Sequence, residues 1–197
     1  LGGQMPKTAD KTYLQMKMLN TAKGPGVQSL RAQADKKVYP RYMQEVLKKQ
    51  ENLDIIEGMV EDLIVEDNCV KGVILDNGQT IEGRMVILTT GTYLKAEILC
   101  GDQKHASGPD QQKESKYLSE KLANLGMRIQ RLKTGTPPRV EINSVDYSKT
   151  SLQPGTDANL AFSYQTNEFI PIEEQTPCYL TYTNEKTHQI IRDNLHR

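Results

Sequence analysis

The chain has 197 residues, of which 25% are charged and 37% hydrophobic, and its 25 basic side chains balance 25 acidic ones. This composition is typical of one or two globular domains and excludes a disordered chain. The sequence contains neither the run of roughly 18 apolar residues that spans a bilayer nor the basic-then-apolar start of a signal peptide. We therefore expect no membrane partner and a cytoplasmic location.

The neutral net charge conceals an uneven distribution. Residues 1–50 carry ten Lys or Arg against three Asp or Glu, whereas residues 51–100 carry three against ten. A basic segment within a neutral chain fits contact with phosphate, either of a nucleotide or of RNA. The same basic segment could equally form one face of an assembly that is neutral as a whole.

Three widely separated cysteines, Cys69, Cys100 and Cys178, predict neither a disulfide framework nor a metal site. An odd number of cysteines cannot all pair, and none of them has metal-ligand spacing to another cysteine or histidine. We expect free, structural thiols and no bound metal.

The first half of the chain predicts loops, helices and a run of strands. Residues 1–37 are loop-rich with a short helix at 29–37, and apolar side chains at helical spacing predict a helix at 39–50. The predicted strands are Leu53–Glu57, Met59–Glu66, Val70–Leu75, Thr80–Glu82, Met85–Leu88 and Met127–Leu132. Asp76-Asn77-Gly78 predicts a hairpin turn. A helix at 115–125 is predicted to begin at Ser115 as N-cap and to stop at Gly126.

The composition and periodicity of the sequence change after Pro137-Pro138. Residues 140–177 are rich in turn formers and poor in long periodic segments, which favours a separate small domain or an insertion. A strand is then predicted at 178–183, and a helix at 184–195 with Asn184 as its N-cap.

The segment 70–92 has the pattern of a nucleotide-binding edge. A hairpin leads into the apolar strand Met85–Leu88, which ends in Thr89-Thr90-Gly91-Thr92. A buried parallel strand that breaks into small residues exposes backbone at the carboxyl edge of a sheet, where α/β folds bind nucleotides. Thr90 and Gly91 are therefore candidate cofactor contacts, although a tight structural turn would use the same residues.

The phosphate-binding GxGxxG turn of a dinucleotide domain is missing from the chain. Either the chain binds no dinucleotide, or the first βαβ unit precedes residue 1. The lack of an initiator Met favours the second interpretation.

Two basic loops are candidate anion sites. Lys23 and Arg31 flank a Gly24-Pro25-Gly26 turn, while Lys133 and Arg139 flank a Thr-Gly-Thr turn and a stiff Pro-Pro pair. Phosphate or substrate binding is the functional interpretation for all four cations, and a solvated loop or domain junction is the alternative.

These segments resemble the MnmG (GidA) family of tRNA-modifying flavoproteins. Residues 19–35 are similar to the family pattern LN-(S/T)-KGP-x-V-x-x-x-R-x-Q-x-D, and residues 131–139 read RLKTGTPPR, as in the family. Residues 178–195 are similar to its C-Y-x-T-x-TN-x-x-TH-x-x-IR-x-NL segment. The chain is thus identified as an internal fragment of a family member.

The resemblance implies an α/β fold. Residues 1–139 would be part of a glutathione-reductase-like FAD-binding domain with a mixed β-sheet, without its GxGxxG unit. Residues 140–197 would be part of a smaller inserted α+β domain that binds NADH.

The resemblance also implies a function. With the GTPase MnmE, the parent enzyme would add a carboxymethylaminomethyl-type group to carbon 5 of the wobble uridine of tRNA, using bound FAD, electrons from NADH and a methylene group from a folate. The full-length protein would be a homodimer. Carried over by position, Val60 would contact the adenine side of FAD through its backbone and Ser115 would be a second FAD contact.

The family's reactive cysteines fall outside these residues, so the resemblance implies no catalytic residue here and an inactive fragment that holds FAD weakly or not at all. Where the family has Gly-Gly-Arg-x-Gly before the serine, this chain has Ser107-Gly108-Pro109-Asp110. Two alternatives remain open: another FAD-dependent oxidoreductase of the glutathione-reductase-like class, and a non-catalytic RNA-binding module.

Overall fold

The computed structural model describes residues 3–196, which form helices and short strands. The helices are α1 (Gln4–Thr12), α2 (Val38–Lys48), α3 (Leu118–Asn124) and α4 (Glu185–Asp193). The strands are β1 (Tyr13–Leu19), β2 (Ser29–Ala34), β3 (Val60–Glu66), β4 (Cys69–Leu75), β5 (Thr80–Glu82), β6 (Glu97–Cys100), β7 (Gln103–Ala106), β8 (Ser151–Gln153) and β9 (Cys178–Leu180). Within these residues the strands pair antiparallel as β1-β2, β3-β4-β5, β6-β7 and β8-β9.

The described residues divide into two compact units. Residues 3–54 and 139–196 form one, which we call the split unit, and residues 55–138 form the other, the continuous unit. The split unit thus combines residues from both sides of the domain boundary that the sequence predicts after residue 139. The assignment of residues 1–139 and 140–197 to FAD and NADH domains stays a prediction.

The core of the split unit is built on β1 and is largely polar. Tyr13 and Met16 are buried, and beside them Gln15 is 1% exposed. The Gln15 amide nitrogen donates to the carbonyl oxygens of Gln153 at 3.0 Å and Thr176 at 3.3 Å. A buried amide needs such partners, so this side chain fixes the later segments against β1.

The core of the continuous unit is apolar and small. Leu75 of β4 is buried, as are Leu118 and Leu122, which lie four residues apart on one face of α3. The β4–β5 hairpin turns where predicted: the amide of Gly78 donates to the carbonyl of Leu75 at 3.0 Å.

Five of the elements predicted from local signals are confirmed. Helix α2, strands β3 to β5 and helix α4 lie within one or two residues of their predicted positions, and the Asn184 side chain caps α4 by accepting from the amide of Thr187 at 3.0 Å. The predicted cap at Ser115 is wrong, because α3 begins at Leu118.

The predicted helix at 29–37 is also wrong, because residues 29–34 form β2. Six residues of β2 pair with β1, and these inter-strand hydrogen bonds outweigh the weak helical preference of the segment. The predicted strands at 53–57 and 127–132 are not formed, since nothing among the described residues pairs with them.

None of the described helices combines the length and the apolarity that a bilayer span requires. The three cysteines are free thiols; Cys69 and Cys100 are exposed and Cys178 is half-buried.

Candidate functional site

Ser115 and Val60 come together in the continuous unit. Ser115 is 7% exposed, and its hydroxyl donates to the carbonyl oxygen of Val60, the first residue of β3, at 3.4 Å. The two residues are 55 positions apart in the sequence. The bond is long, and the serine oxygen keeps lone pairs that could accept from a ligand.

The turn at Thr90 and Gly91 lies next to the same serine. The amide of Tyr93 donates to the carbonyl of Thr90 at 3.2 Å, with Gly91 in the left-handed region at φ +56° between them. The amide of Ser115 donates to Tyr93, and its carbonyl accepts from the amide of Lys95 at 2.7 Å. Hydrogen bonds therefore connect Val60 to Ser115 and, through Tyr93, Ser115 to the turn at Thr90 and Gly91.

Tyr93, Gly108 and Gln112 support this turn and were not predicted as site residues. The Tyr93 hydroxyl donates to the side-chain oxygen of Gln112 at 2.6 Å, and the Gly108 amide donates to the Gln112 carbonyl at 2.8 Å. A Cβ on Gly108 would lie 2.6 Å from the Tyr93 ring. The Gly108-Pro109 pair was the only sequence signal for this close approach.

Two ion pairs hold the segment that carries Ser115 against the three-stranded sheet. Lys113 contacts Asp76 at 3.0 Å, and Lys121 contacts Asp62 on β3 at 2.8 Å. The hydrogen bond from Lys113 lowers the pKa of the Asp76 carboxyl, and the bond to Asp62 raises the pKa of Lys121. Exposed pairs contribute little each, but together they restrict where Ser115 can lie.

An open cleft of about 370 Å³ lies beside β3 in the continuous unit. Its lining residues are Glu61, Asp62, Ile74, Leu75, Tyr117 and Lys121. This volume is at the lower end of the range of ligand pockets, and none of the four predicted cofactor contacts is among the lining residues.

The predicted buried strand at Met85–Leu88 is wrong. Residues 85–88 are not in a strand, and Met85 and Ile87 are each 86% exposed. A buried parallel strand needs a neighbour at each edge, and none of the described residues pairs with this segment. The adjacent parallel contact is the isolated bridge between Leu94 and Ser115.

The four candidate phosphate contacts are all exposed. Lys133 belongs to the continuous unit, whereas Lys23, Arg31 and Arg139 belong to the split unit. Lys23 lies in the turn after β1, and Arg31 lies on β2 opposite Lys17.

The split unit contains a second cavity, of about 270 Å³. Asp157 and Glu173 are among its lining residues, so it offers carboxylates to a ligand that donates hydrogen bonds. Within residues 3–196, no group of three or more His, Cys, Asp or Glu could hold a metal ion.

The comparisons with known proteins agree over the whole chain. A relative from Geobacillus kaustophilus, named tRNA uridine 5-carboxymethylaminomethyl modification enzyme MnmG, is 55% identical over 100% of this chain and 31% of its own length. A relative of the same name from Bacillus subtilis is 52% identical, again over 31% of its length. The solved structure of Aquifex aeolicus GidA matches with a TM-score of 0.89 and 44% identity, over 100% of this chain and 34% of that one.

The match to the GidA structure places the chain in an α/β, Rossmann-like class whose family binds FAD, and the sheets within residues 3–196 are small and antiparallel. The protein-family model described as "Glucose inhibited division protein A" matches residues 1–197. The chain belongs to this family, GidA, and spans about a third of the length of the relatives it matches. The family binds FAD, and its MnmG relatives are named for the modification of tRNA.

Proposed function

We propose that this chain is part of a longer enzyme that modifies carbon 5 of the wobble uridine of tRNA with a carboxymethylaminomethyl-type group. The observation that carries the proposal is the identity of 55% and 52%, over the whole chain, to relatives named for that modification. We further propose FAD as bound cofactor, NADH as electron donor, an MnmE-type GTPase as partner, a homodimeric enzyme and a cytoplasmic location.

The geometry of the continuous unit supports a contact with one end of FAD. The carbonyl of Val60 and the hydroxyl of Ser115 offer polar atoms, and hydrogen bonds through Tyr93 connect Ser115 to the turn at Thr90 and Gly91. When bound, FAD supplies hydride and electron transfer, which these side chains cannot perform. The role of this chain is then to bind and orient the cofactor.

The cavity in the split unit supports the proposed contact with NADH. Its lining residues fall within 156–175, inside the part of the chain predicted to be an NADH-binding insertion. The carboxylates of Asp157 and Glu173 could accept hydrogen bonds from ribose hydroxyls, which is how dinucleotide sites commonly recognise the sugar. Lys23, Arg31, Lys133 and Arg139 would contact phosphate or substrate.

The absorbance spectrum of the longer enzyme tests the cofactor proposal. We expect a flavin band in the purified enzyme, and a lower FAD content in a Ser115→Ala variant. Ser119→Ala is the matched control, because Ser119 is 8% exposed and lies four residues away. A colourless enzyme would overturn the proposal and favour the RNA-binding module.

Two further results would contradict the proposal. Turnover of a small molecule without any dependence on tRNA would favour a different FAD-dependent oxidoreductase. Stoichiometric flavin in the purified 197-residue chain would contradict the expectation that this part alone holds FAD weakly or not at all.

A further inference from the structure

The β1–β2 hairpin carries a basic side chain on each strand and one in its turn. Residues 11–34 contain no Asp or Glu, and the hairpin carries Lys17, Lys23 and Arg31. Lys17 lies on β1, Lys23 in the connecting turn and Arg31 on β2. No acidic side chain of the hairpin itself therefore offsets these charges.

The strand register places two of these cations face to face. Lys17 pairs directly with Arg31 in the antiparallel ladder, so both side chains project from the same face of the hairpin. Directly opposed Cβ atoms are about 5 Å apart, and like charges at such positions are destabilising. An anion bound between them would remove this repulsion.

A neutral neighbour positions Lys17 without neutralising its charge. The ammonium of Lys17 donates to the neutral side-chain oxygen of Gln153 at 3.0 Å, and Arg31 is exposed. Among the described residues, neither these two nor Lys23 takes part in an ion pair. The turn is ordered by the Asn20 side chain, which donates to the carbonyl of Val27 at 3.0 Å.

We infer that Lys17 and Arg31, with Lys23 at the tip, form a binding surface for the phosphodiester backbone of RNA; the choice of RNA rests on the proposed function. Arginine binds phosphate oxygens through two parallel N–H groups, and a nearby lysine adds a point charge. The exposed neighbours on this face are polar, Ser29 and Gln33, which suits a hydrated polyanion better than a lipid surface.

Salt-dependent binding of a tRNA transcript by the 197-residue chain tests this inference. Each phosphate contact contributes roughly 0.7 to 0.9 to the slope of log affinity against log salt. The combined variant Lys17→Gln and Arg31→Gln should therefore lose roughly 1.5 in the magnitude of that slope. Lys48→Gln with Lys49→Gln removes the same charge from exposed positions at the end of α2 and should leave the slope unchanged.

A charge reversal separates a binding role from a structural one. Arg31→Glu places opposite charges across the ladder, so it should raise the Tm of the chain while it weakens tRNA binding. A merely structural arginine would give a lower Tm instead. Circular dichroism during melting also shows that each variant is folded.

Three outcomes would overturn the inference. The first is an unchanged salt slope in the Lys17 and Arg31 variant, and the second is no measurable tRNA binding by the unmodified chain. The third is equal or tighter binding to vesicles that contain phosphatidylserine. None of these bears on the flavin spectrum, so failure of this surface and failure of the proposed function remain distinguishable.

Discussion

Asp10 is a buried carboxylate that links α1 to residues 162–166 of the split unit through hydrogen bonds. It is 5% exposed on α1. One carboxylate oxygen accepts from the amide of Phe162 at 2.9 Å, and the other accepts from the amide of Ser163 at 2.9 Å and from the hydroxyl of Thr166 at 2.6 Å. Asp10→Ala would leave three donors without their acceptor.

The expected loss follows from these three bonds. A hydrogen bond to a charged group contributes about 1.5–3 kcal/mol when both partners are buried. Ser163 and Thr166 are half-buried and Phe162 is exposed, so after the substitution water can satisfy part of the hydrogen bonding that these donors lose. We therefore expect the free energy of unfolding to fall by about 3 kcal/mol in the Asp10→Ala variant, near the low end of the range for a broken buried charge network.

Urea denaturation followed by circular dichroism measures this loss. With an m-value of about 2 kcal/mol/M, the midpoint should fall by about 1.5 M at unchanged m. Asp157→Ala is the control, because this carboxylate of the same unit is exposed, and it should change stability by less than about 0.5 kcal/mol. A loss below about 1 kcal/mol for Asp10→Ala would refute the hydrogen-bond argument.

Three further predictions concern local features. Gly72→Ala should prevent formation of the three-stranded sheet, because a Cβ there would lie 2.2 Å from the carbonyl oxygen of Ile81; the loss of strand signal in circular dichroism measures it. Asn184→Ala should destabilise α4 by about 1 kcal/mol through loss of its N-cap, as seen in amide exchange at the start of the helix. Backbone amides at the start of α2, of Val38 first and then Lys37, lower the pKa of Asp35, so its stabilisation is present above about pH 4 and is lost as the pH falls. An Asp35→Asn variant should therefore show a smaller fall in Tm between about pH 5 and pH 2 than the unmodified chain.

Each of these predictions has a result that contradicts it. An unchanged strand signal in Gly72→Ala would mean that the sheet relaxes around the added methyl group. Uniform amide exchange along α4 in Asn184→Ala would show that the cap does not set the helix start. Equal acid sensitivity of Asp35→Asn and the unmodified chain would show that this carboxylate is not stabilised by folding.

Helices and hairpins with local signals were predictable from the sequence. Helix α4 begins where Asn184 predicts it, and β4 and β5 meet at the Asn-Gly turn, because the residues that decide these features are neighbours in the chain. The strand β2 was not predictable in this way, since its conformation depends on pairing with β1.

The same distinction between local and distant interactions applies to the candidate site and to the buried polar residues. The family resemblance predicted Val60 and Ser115 as cofactor contacts, and the structure brings the two residues within hydrogen-bonding distance, although their role stays a prediction. The buried structural roles of Asp10 and Gln15 were not predictable from neighbouring residues, because their hydrogen-bond partners follow about 140 to 160 residues later. For residues 85–88 the local sequence was misleading. Their apolar composition predicts a buried strand, but none of the described residues pairs with the segment, and Met85 and Ile87 are exposed.

The two segments of the split unit are separated in the sequence by the whole continuous unit, so during synthesis the split unit is completed last. The continuous unit, residues 55–138, is contiguous in the sequence, so all of its residues are synthesised before residue 139. The hydrogen bonds of β1 with Gln153, Thr156 and Thr176 must wait for these residues, which follow it by roughly 140 to 160 positions. At 5–20 residues per second this delay is on the order of 10 s, a period in which a nascent chain would expose β1 to chaperones.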